Sequence, residues 1–436
     1  MNNAMELLAI LLFVGIFVLV LYGFPVAFTL GGLSLIYAWC FLEPSAFSAL
    51  PPRIMGVMSN YVLIAVPLFI FMGIMLERSG LAEQLLQTMS MLFGRMPGGL
   101  AVSVVIVGAM LAASTGIVGA TVVTMGMISL PIMLKKGYDP ALSTGIIAAS
   151  GTLGQIIPPS VVLVLLGSVL NVSVGGLFAA AVLPGLALVV LYILYIITVA
   201  LLKPALAPKV DEADLQEFRQ AGFGWKIVEV FLLPLTLILA VLGSIFAGVA
   251  TPTEAASVGA LGAILLAVKN KKVHLKMLHE AAIETTHLTA MIFMILLGAT
   301  TFSFVFREMG GDVYLVELIK SSNLSPLAFL MLVMLVVFVA GFFIDFIEII
   351  FIIVPVVAPV FKELDMNLLW IGILLCINLQ SSFLTPPFGF SLFYLKGVAP
   401  PEVTTRHLYI GIIPFVVIQA IVLVIWMFFP DFVGMG

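Results

Sequence analysis

Residues 148–161 read AASGTLGQIIPPSV and lie deep inside an apolar run. Gly151, Gly154, Ser150, Thr152, Gln155 and the pair Pro158-Pro159 have no use in a plain spanning helix. Proline removes a backbone donor and clashes with the preceding turn, and it pushes the residue before it out of the α region. The helix must break here, and the freed amides and carbonyls need partners. In hydrocarbon, broken backbone is tolerated only where protein buries it or where it lines a polar cavity. Breaks of this kind at mid-membrane are where secondary transporters hold coupling ions and substrate.

The surroundings of the break are those of a membrane protein. The chain has 436 residues, 63% hydrophobic and 9% charged, against about 25% charged in a soluble domain. This composition predicts an all-α polytopic membrane protein embedded in the lipid bilayer. A net charge of −4 offers no basic surface for nucleic acid. Cys40 and Cys376 stand far apart and form no metal or redox motif. No HExxH and no Walker loop is present, so neither a zinc hydrolase nor an ATP site is expected, and no cofactor. The N-terminus lacks a basic n-region, and its first apolar segment is expected to be retained.

Apolar runs of spanning length fall near 6–22, 25–41, 61–77, 98–112, 119–134, 140–170, 174–201, 226–248, 252–268, 283–305, 324–341, 347–361, 367–398 and 405–430. The pairs 98–134 and 324–361 turn back through AlaSerThrGlyIleValGly (113–119) and PhePheIleAspPhe (342–346), which contain no Lys or Arg. Both pairs are expected to be re-entrant hairpins with tips inside the membrane; two ordinary spans joined by a tight turn is the alternative. With both re-entrant and the N-terminus outside, only Arg53, Arg307, Lys320 and Lys362 of the 18 basic residues face outward, as the positive-inside rule requires.

An internal repeat follows from the same scheme. Pro25 and Gly32 match Pro252 and Gly259 at a spacing of 227; Gly80 matches Gly310 at 230; Pro131, Pro158 and Pro159 match Pro359, Pro386 and Pro387 at 228. Each half would cross five times, giving an inverted 5+5 repeat with two hairpins and two helices broken before Pro-Pro. Interrupted helices in corresponding places of two halves point to a binding site at their interface.

Candidate ligands cluster at those places. Ser114, Thr115 and Gly116 at the first tip, with Gly151, Thr152 and Gly154 at the first break, could hold a Na⁺ with neutral oxygens. Helix capping would account for one or two of the hydroxyls but not for two facing clusters. The second half offers Gly341, Asp345, Gln380, Ser381, Ser382 and Thr385. An ionisable group inside the membrane is a functional hypothesis by default, and Asp345 would ligate or anchor a second cation; a structural carboxyl is the alternative, as it is for Glu348. Glu254, next to Thr253, is expected to favour a helix N-terminus. Ser160, Pro158, Pro159, Pro386, Pro387 and Gly389 line the expected substrate position. Gly23, Gly31, Gly32, Gly259 and Gly262 allow close helix contact and mark the expected face for a second membrane subunit.

Several ordered motifs resemble one family over nearly the whole chain. They are GlyArgMetProGlyGlyLeuAla (94–101), the tip at 113–119, ProIleMetLeuLysLysGlyTyr (131–138), GlyThrLeuGlyGlnIleIleProProSer (151–160), AlaThrProThrGluAlaAla (250–256) and LeuThrProProPheGly (384–389). They look like the large membrane subunit of TRAP transporters, the tripartite ATP-independent periplasmic carriers. The resemblance implies a Na⁺-driven elevator carrier of the ion transporter superfamily in the bacterial inner membrane. It also implies a periplasmic substrate-binding protein and a small membrane subunit of about four helices, here a separate chain because nothing resembles a fused one. Family substrates are organic acids; the tip and residues 342–348 resemble a branch labelled for mannitol or chloroaromatic compounds, and small monocarboxylates or 2-oxo acids are expected. Family members often carry a carboxylate near position 345. A stand-alone Na⁺/carboxylate carrier and an ion-conducting subunit of an energy-converting complex are the competing classes. The second should bury proton-carrying Lys, His and Glu chains, whereas the basic residues here lie at the surfaces.

The expected division is then a fixed scaffold at 1–60, 173–202, 226–282 and 399–436, and a moving transport unit at 98–172 and 324–398. In the moving unit a hairpin (98–134, 324–361) precedes each broken helix (140–170, 367–398). Residues 61–97 and 283–323 each form a connecting span and surface helix, and 203–225 a cytoplasmic linker.

Overall fold

The computed structural model describes residues 2–116, 118–209, 227–322 and 324–430; of residues 2, 3, 114 and 115 it describes the backbone alone. All regular structure among the described residues is helical. α1 (Asn2–Leu21) and α2 (Val26–Phe41) are followed by a short α3 (Leu50–Met58). α4 (Ala65–Arg78) leads through an amphipathic α5 (Leu81–Phe93) into α6 (Gly99–Thr115) and α7 (Val118–Lys135). α8 (Pro140–Thr152) and α9 (Val161–Leu170) are the two pieces of the first broken helix, and α10 (Val174–Leu202) closes the first half.

A π-turn at Val228–Leu232 opens α11 (Leu233–Phe246), which is followed by α12 (Pro252–Lys269), α13 (Leu275–Glu308) and α14 (Gly311–Ser321). The second hairpin is α15 (Pro326–Ala340), α16 (Phe346–Ile352) and α17 (Val354–Glu363). α18 (Leu368–Leu384) and α19 (Phe390–Val398) are the second broken helix, and α20 (Thr405–Phe428) ends the fold. Among the described residues, eight helices are long and apolar enough to cross a membrane. α7 is one of them, so length alone does not distinguish a re-entrant hairpin at 98–134 from two spans.

Local chemistry explains most boundaries. Pro140 stands at the first helical position of α8, behind Asp139, whose carboxylate accepts the Leu142 N–H. α12 opens on a capping box: Thr251 Oγ1 accepts from Glu254 N–H, and Glu254 Oε2 from Thr251 N–H at 2.8 Å. That is the helix-terminal role expected of Glu254. Three features differ from the sequence reading, and a fourth falls largely outside the described residues. α3 lies between the apolar runs 25–41 and 61–77, where no helix is expected from hydropathy, and its Pro51 and Pro52 fall in the first turn, where proline loses no needed hydrogen bond. α13 starts at Leu275, ahead of the expected 283, because the polar residues there form an exposed first part of the helix. The returning limb of the second hairpin is divided at Ile353, just before Pro355. The linker at 203–225 lies, from 210 on, outside the described residues.

Two groups of helix contacts stand out, and they meet where α4 packs on α6. In one, α2 lies against α13 and α4 against α12. Gly298 brings α13 so close to α2 that a Cβ there would stand 2.5 Å from the Ala27 carbonyl oxygen. Arg78 on α4 bridges Glu280 and Glu284 on α13 at 2.7 and 2.8 Å. In the other, α8 lies against α6, α7 and α20, and α18 against α15, α10 and α20. Each broken helix sends its second piece across to the opposite hairpin: α9 packs on α16 and α17, and α19 on α7. The glycines expected to meet a second subunit divide accordingly. Gly31, Gly259 and Gly262 already face Gly298, Met72 and Leu237 within the chain, while Gly23 and Gly32 face open space.

Candidate functional site

The first break is three residues of 3₁₀ helix, Leu153–Gln155, followed by non-helical backbone until Val161. The second runs from Thr385 to Gly389, with the chain extended at Thr385 and left-handed at Gly389 (φ 47°). Both Pro-Pro bonds, 158–159 and 386–387, are cis. The first hairpin turns at Gly116, whose φ of 61° suits a residue without a Cβ and whose N–H closes α6 on the Ala112 carbonyl. The second turns into α16 at Asp345, which caps Ile347 N–H at 3.0 Å while Glu348 accepts from Asp345 N–H at 3.3 Å. The two carboxylates of the second tip therefore form a capping box, a structural role for both.

Tips and breaks lie together. Gly154 presses on the last turn of α6, where a Cβ would fall 2.8 Å from the Ala112 carbonyl carbon. Gly151 sits against Val122 of α7, and Gly116 against the Val161 amide. In the second half the positions are exchanged: Gly341 on the hairpin makes room for Ser382 on the broken helix. Thr152 and Gln380, 228 residues apart, meet at the centre, where Gln380 Nε2 donates to Thr152 Oγ1 at 3.5 Å. Asn378 Nδ2 ties the second broken helix to its hairpin through the Met334 carbonyl at 2.7 Å. Cys376 Sγ donates to the Gln155 carbonyl at 2.9 Å, and Ser391 Oγ to the Ala148 carbonyl at 3.3 Å, so each half also bonds the other.

Most of the hydroxyls donate to their own helix: Thr152 to Ala149 O, Ser381 to Ile377 O, Ser382 to Leu379 O, Thr385 to Ser381 O. Ser160, expected to face substrate, donates to Gln155 O at 2.8 Å inside the break. A hydroxyl that gives its proton to a carbonyl keeps acceptor lone pairs, so back-bonding aims these oxygens and leaves them able to face a cation. Two buried amide oxygens, Gln155 Oε1 and Gln380 Oε1, have no hydrogen-bond partner. Gln155 belongs to the opening stretch, but its residue type gave no reason to prefer it over Thr152 as a ligand. Only the packing shows that its whole amide is buried and unpaired. The donor set is hard oxygen throughout, and no group of three or more His, Cys, Asp or Glu side chains that could hold a metal occurs among the described residues. Such a set fits an alkali cation better than a transition metal. Around it, Pro158, Pro159 and Ser160 are buried, while Pro386 is half-buried and Pro387 exposed, so the two breaks are unequally open.

Comparison with known proteins agrees with this architecture. The family model described as "Tripartite ATP-independent periplasmic transporter, DctM component" matches residues 13–432. The C4-dicarboxylate TRAP transporter large permease protein DctM of Pseudomonas aeruginosa is 31% identical over 405 residues, covering 92% of this chain and 91% of that one. The sialic acid TRAP transporter large permease protein SiaM of Vibrio cholerae is 28% identical, covering 94% of each chain. The ectoine TRAP transporter large permease protein TeaC of Halomonas elongata is 28% identical, covering 86% of each. Among solved structures, the YdaH transporter of Alcanivorax borkumensis superposes with a TM-score of 0.64 at 13% identity, over 97% of this chain and 98% of that one, a likeness of fold. The matched relatives are transport subunits rather than enzymes, and by the extent and identity of these matches the chain belongs to the tripartite ATP-independent periplasmic transporter family, as its DctM component, the large permease subunit.

Proposed function

We propose that this subunit imports a small organic acid across the bacterial inner membrane, coupled to Na⁺, by an elevator movement of an inverted repeat. The acid is delivered by a periplasmic substrate-binding protein, and a small membrane subunit of separate sequence braces the scaffold. The observation that carries this reading is the meeting of Thr152 and Gln380, equivalent positions of the two halves, between two hairpin tips and beside two unpaired buried amide oxygens. Carbonyl ends and hydroxyls there favour a cation, and the amide ends of α9 and α19 favour a carboxylate. The anion would bind well only once the cation is in place, which is the physical content of coupling. The names of relatives support a carboxylate as cargo: C4-dicarboxylate and sialic acid are both acids.

The test is uptake into proteoliposomes as a function of external Na⁺, with the binding protein saturating. Thr152→Val keeps shape, removes one oxygen and strands the Gln380 amide. It is expected to raise the half-saturating Na⁺ concentration by about 1.5–3 kcal/mol of lost ligation, the range for hydrogen bonds to charged groups. Unchanged Na⁺ dependence would remove Thr152 from the ion site, and uptake without any Na⁺ gradient would end the symport reading.

The fixed and moving bodies are proposed with one revision. The division first expected assigned 173–202 and 399–436 to the scaffold. The packing favours placing α10 and α20 in the moving unit. Gly411 of α20 meets α8 backbone to backbone, with a Cβ there only 2.7 Å from the Ala141 carbonyl carbon. Tyr192 and Gln419 join α10 to α20 by a buried hydrogen bond of 2.6 Å, and Trp370 Nε1 joins α18 to the Trp426 carbonyl at 2.9 Å. Interlocked backbones and buried polar bonds do not make a sliding surface. For the small subunit, α2 offers Gly32 with exposed Phe28, Ile36 and Trp39 around it. Gly32→Leu is expected to diminish copurification of that subunit while the chain stays monodisperse; an intact pair would move the contact to another face.

A further inference from the structure

The external end of the fold holds a crevice of about 340 Å³ that plays no part in the site between the breaks. One wall is α3 and the last turns of α13; the other is the end of α9 with α16 and α17. Its polar lining is Arg53, Asn60, Ser168, Thr300, Ser303 and Arg307. The Arg53 guanidinium lies over the Phe304 ring at 4.7 Å, which holds it at the crevice, and the Glu308 carboxylate approaches it only to 4.0 Å. Among the described residues Arg307 makes no ion pair and the Ser303 hydroxyl makes no hydrogen bond. A larger hollow of about 760 Å³ adjoins, sharing Val169, Arg307 and Ala358 and adding Lys362; Asp312 and Asp365 also line it. Asp312 is engaged by its own helix, accepting the Val313 N–H at 2.9 Å.

The charge distribution is not what a random surface would show. In the topology proposed above only Arg53, Arg307, Lys320 and Lys362 face outward, and three of these line this one continuous hollow. The fourth, Lys320, is held elsewhere by Glu363 at 2.7 Å, and its ammonium keeps that carboxyl below the usual range. Guanidinium forks match carboxylates in a planar, two-bond fashion. A concave site walled by low-dielectric side chains concentrates their field, and the smaller crevice has the volume of a small-ligand pocket. One wall joins α3 of the proposed scaffold to the connecting span α13; the other, α9 with α16 and α17, belongs to the proposed moving unit.

We propose that this crevice is a staging site for a carboxylate anion, held by Arg53 and Arg307 with the hydroxyls of Ser303 and Ser168, on the way to the break. It rests on the organic-acid reading above and adds a second place where the acid is bound. An acid entering from the outer face would be caught on the two guanidiniums, then released inward as the wall formed by α9, α16 and α17 moves away.

The test does not need transport. In a Cys40→Ser background, Ser303→Cys is labelled in purified protein with a negatively charged or a positively charged methanethiosulfonate, each rate divided by that with free cysteine. The negative reagent is expected to react faster by about tenfold, the lower end of the effect of a charged cleft on association. Succinate or pyruvate should protect, and succinamide should not. Arg53→Gln with Arg307→Gln should erase both preference and protection, whereas the Lys pair should keep the preference. Equal rates for the two reagents would overturn the proposal, as would sulfate protecting as well as both acids at equal ionic strength, or protection by a binding protein and by no small anion. Because labelling needs no gradient, a failure of Na⁺-driven uptake with this pattern intact would sink the symport reading alone.

Discussion

Linking Asn60→Cys to Ser168→Cys with a short bifunctional thiol reagent is expected to bring Na⁺-driven uptake down to that of empty liposomes, reversibly on reduction. Asn60 precedes α4 in the first body and Ser168 sits in α9 in the second, and in this conformation Asn60 Nδ2 donates to Ser168 Oγ at 3.3 Å. The contact is a single hydrogen bond between neutral side chains, so it can be made and broken as the bodies pass. A covalent link there freezes one end of the movement. The companion pair is Gly176→Cys with Leu369→Cys, joining α10 to α18, where a Cβ on Gly176 would lie 3.2 Å from Leu369 Cδ1. With α10 in the moving unit, this link is expected to leave uptake intact. Loss of uptake with both links would restore α10 to the scaffold. Survival with both, at complete crosslinking, would end the elevator reading altogether.

The difference between those two pairs also shows what a sequence can and cannot disclose. The breaks were legible because their cause is local: Pro158-Pro159 and Pro386-Pro387 forbid a helix wherever the chain goes. The capping role of Glu254 was legible for the same reason, since Thr251 and Glu254 are three residues apart. The partnership of α20 with α8 was not. It depends on Gly411 meeting Ala141 across the fold, and a glycine in an apolar helix looks the same whether it faces open space, as Gly32 does, or another backbone. Asp345 illustrates a middle case. Its type and place marked it as a site residue, yet its visible bonds are those of an N-cap. Gln155 is the reverse: noted in the sequence as one polar residue of the broken stretch, it becomes a candidate ligand only when burial leaves its amide without partners. Arg53 and Arg307 were read as tokens of topology, and their convergence on one crevice needed the fold.

Gly154→Ala is expected to remove the response to Na⁺ while leaving the chain folded. The added methyl would lie 2.8 Å from the Ala112 carbonyl carbon and 3.0 Å from its Cα, too close for either to stay. What it meets is backbone in the last turn of α6, which cannot rotate aside as a side chain would. The hairpin tip and the break must therefore separate. Overpacking of this kind costs about 1–3 kcal/mol, and if that cost falls on the ion-bound arrangement it corresponds to about a 5–150-fold loss of affinity. Hard cations hold oxygen ligands within narrow distance limits, so ligands shared between tip and break lose contact when the two move apart. A Na⁺-specific rise in melting temperature in detergent, NaCl against choline chloride, reads this without transport, because an ion that binds only the folded state stabilises it by mass action. Gly32→Ala, whose methyl meets nothing, serves as the control and should keep the wild-type rise. A Gly154→Ala protein that melts lower yet gains as much from Na⁺ as wild type would separate the ion site from the tip–break contact. That result would leave the two unpaired amide oxygens of Gln155 and Gln380 as the place to look.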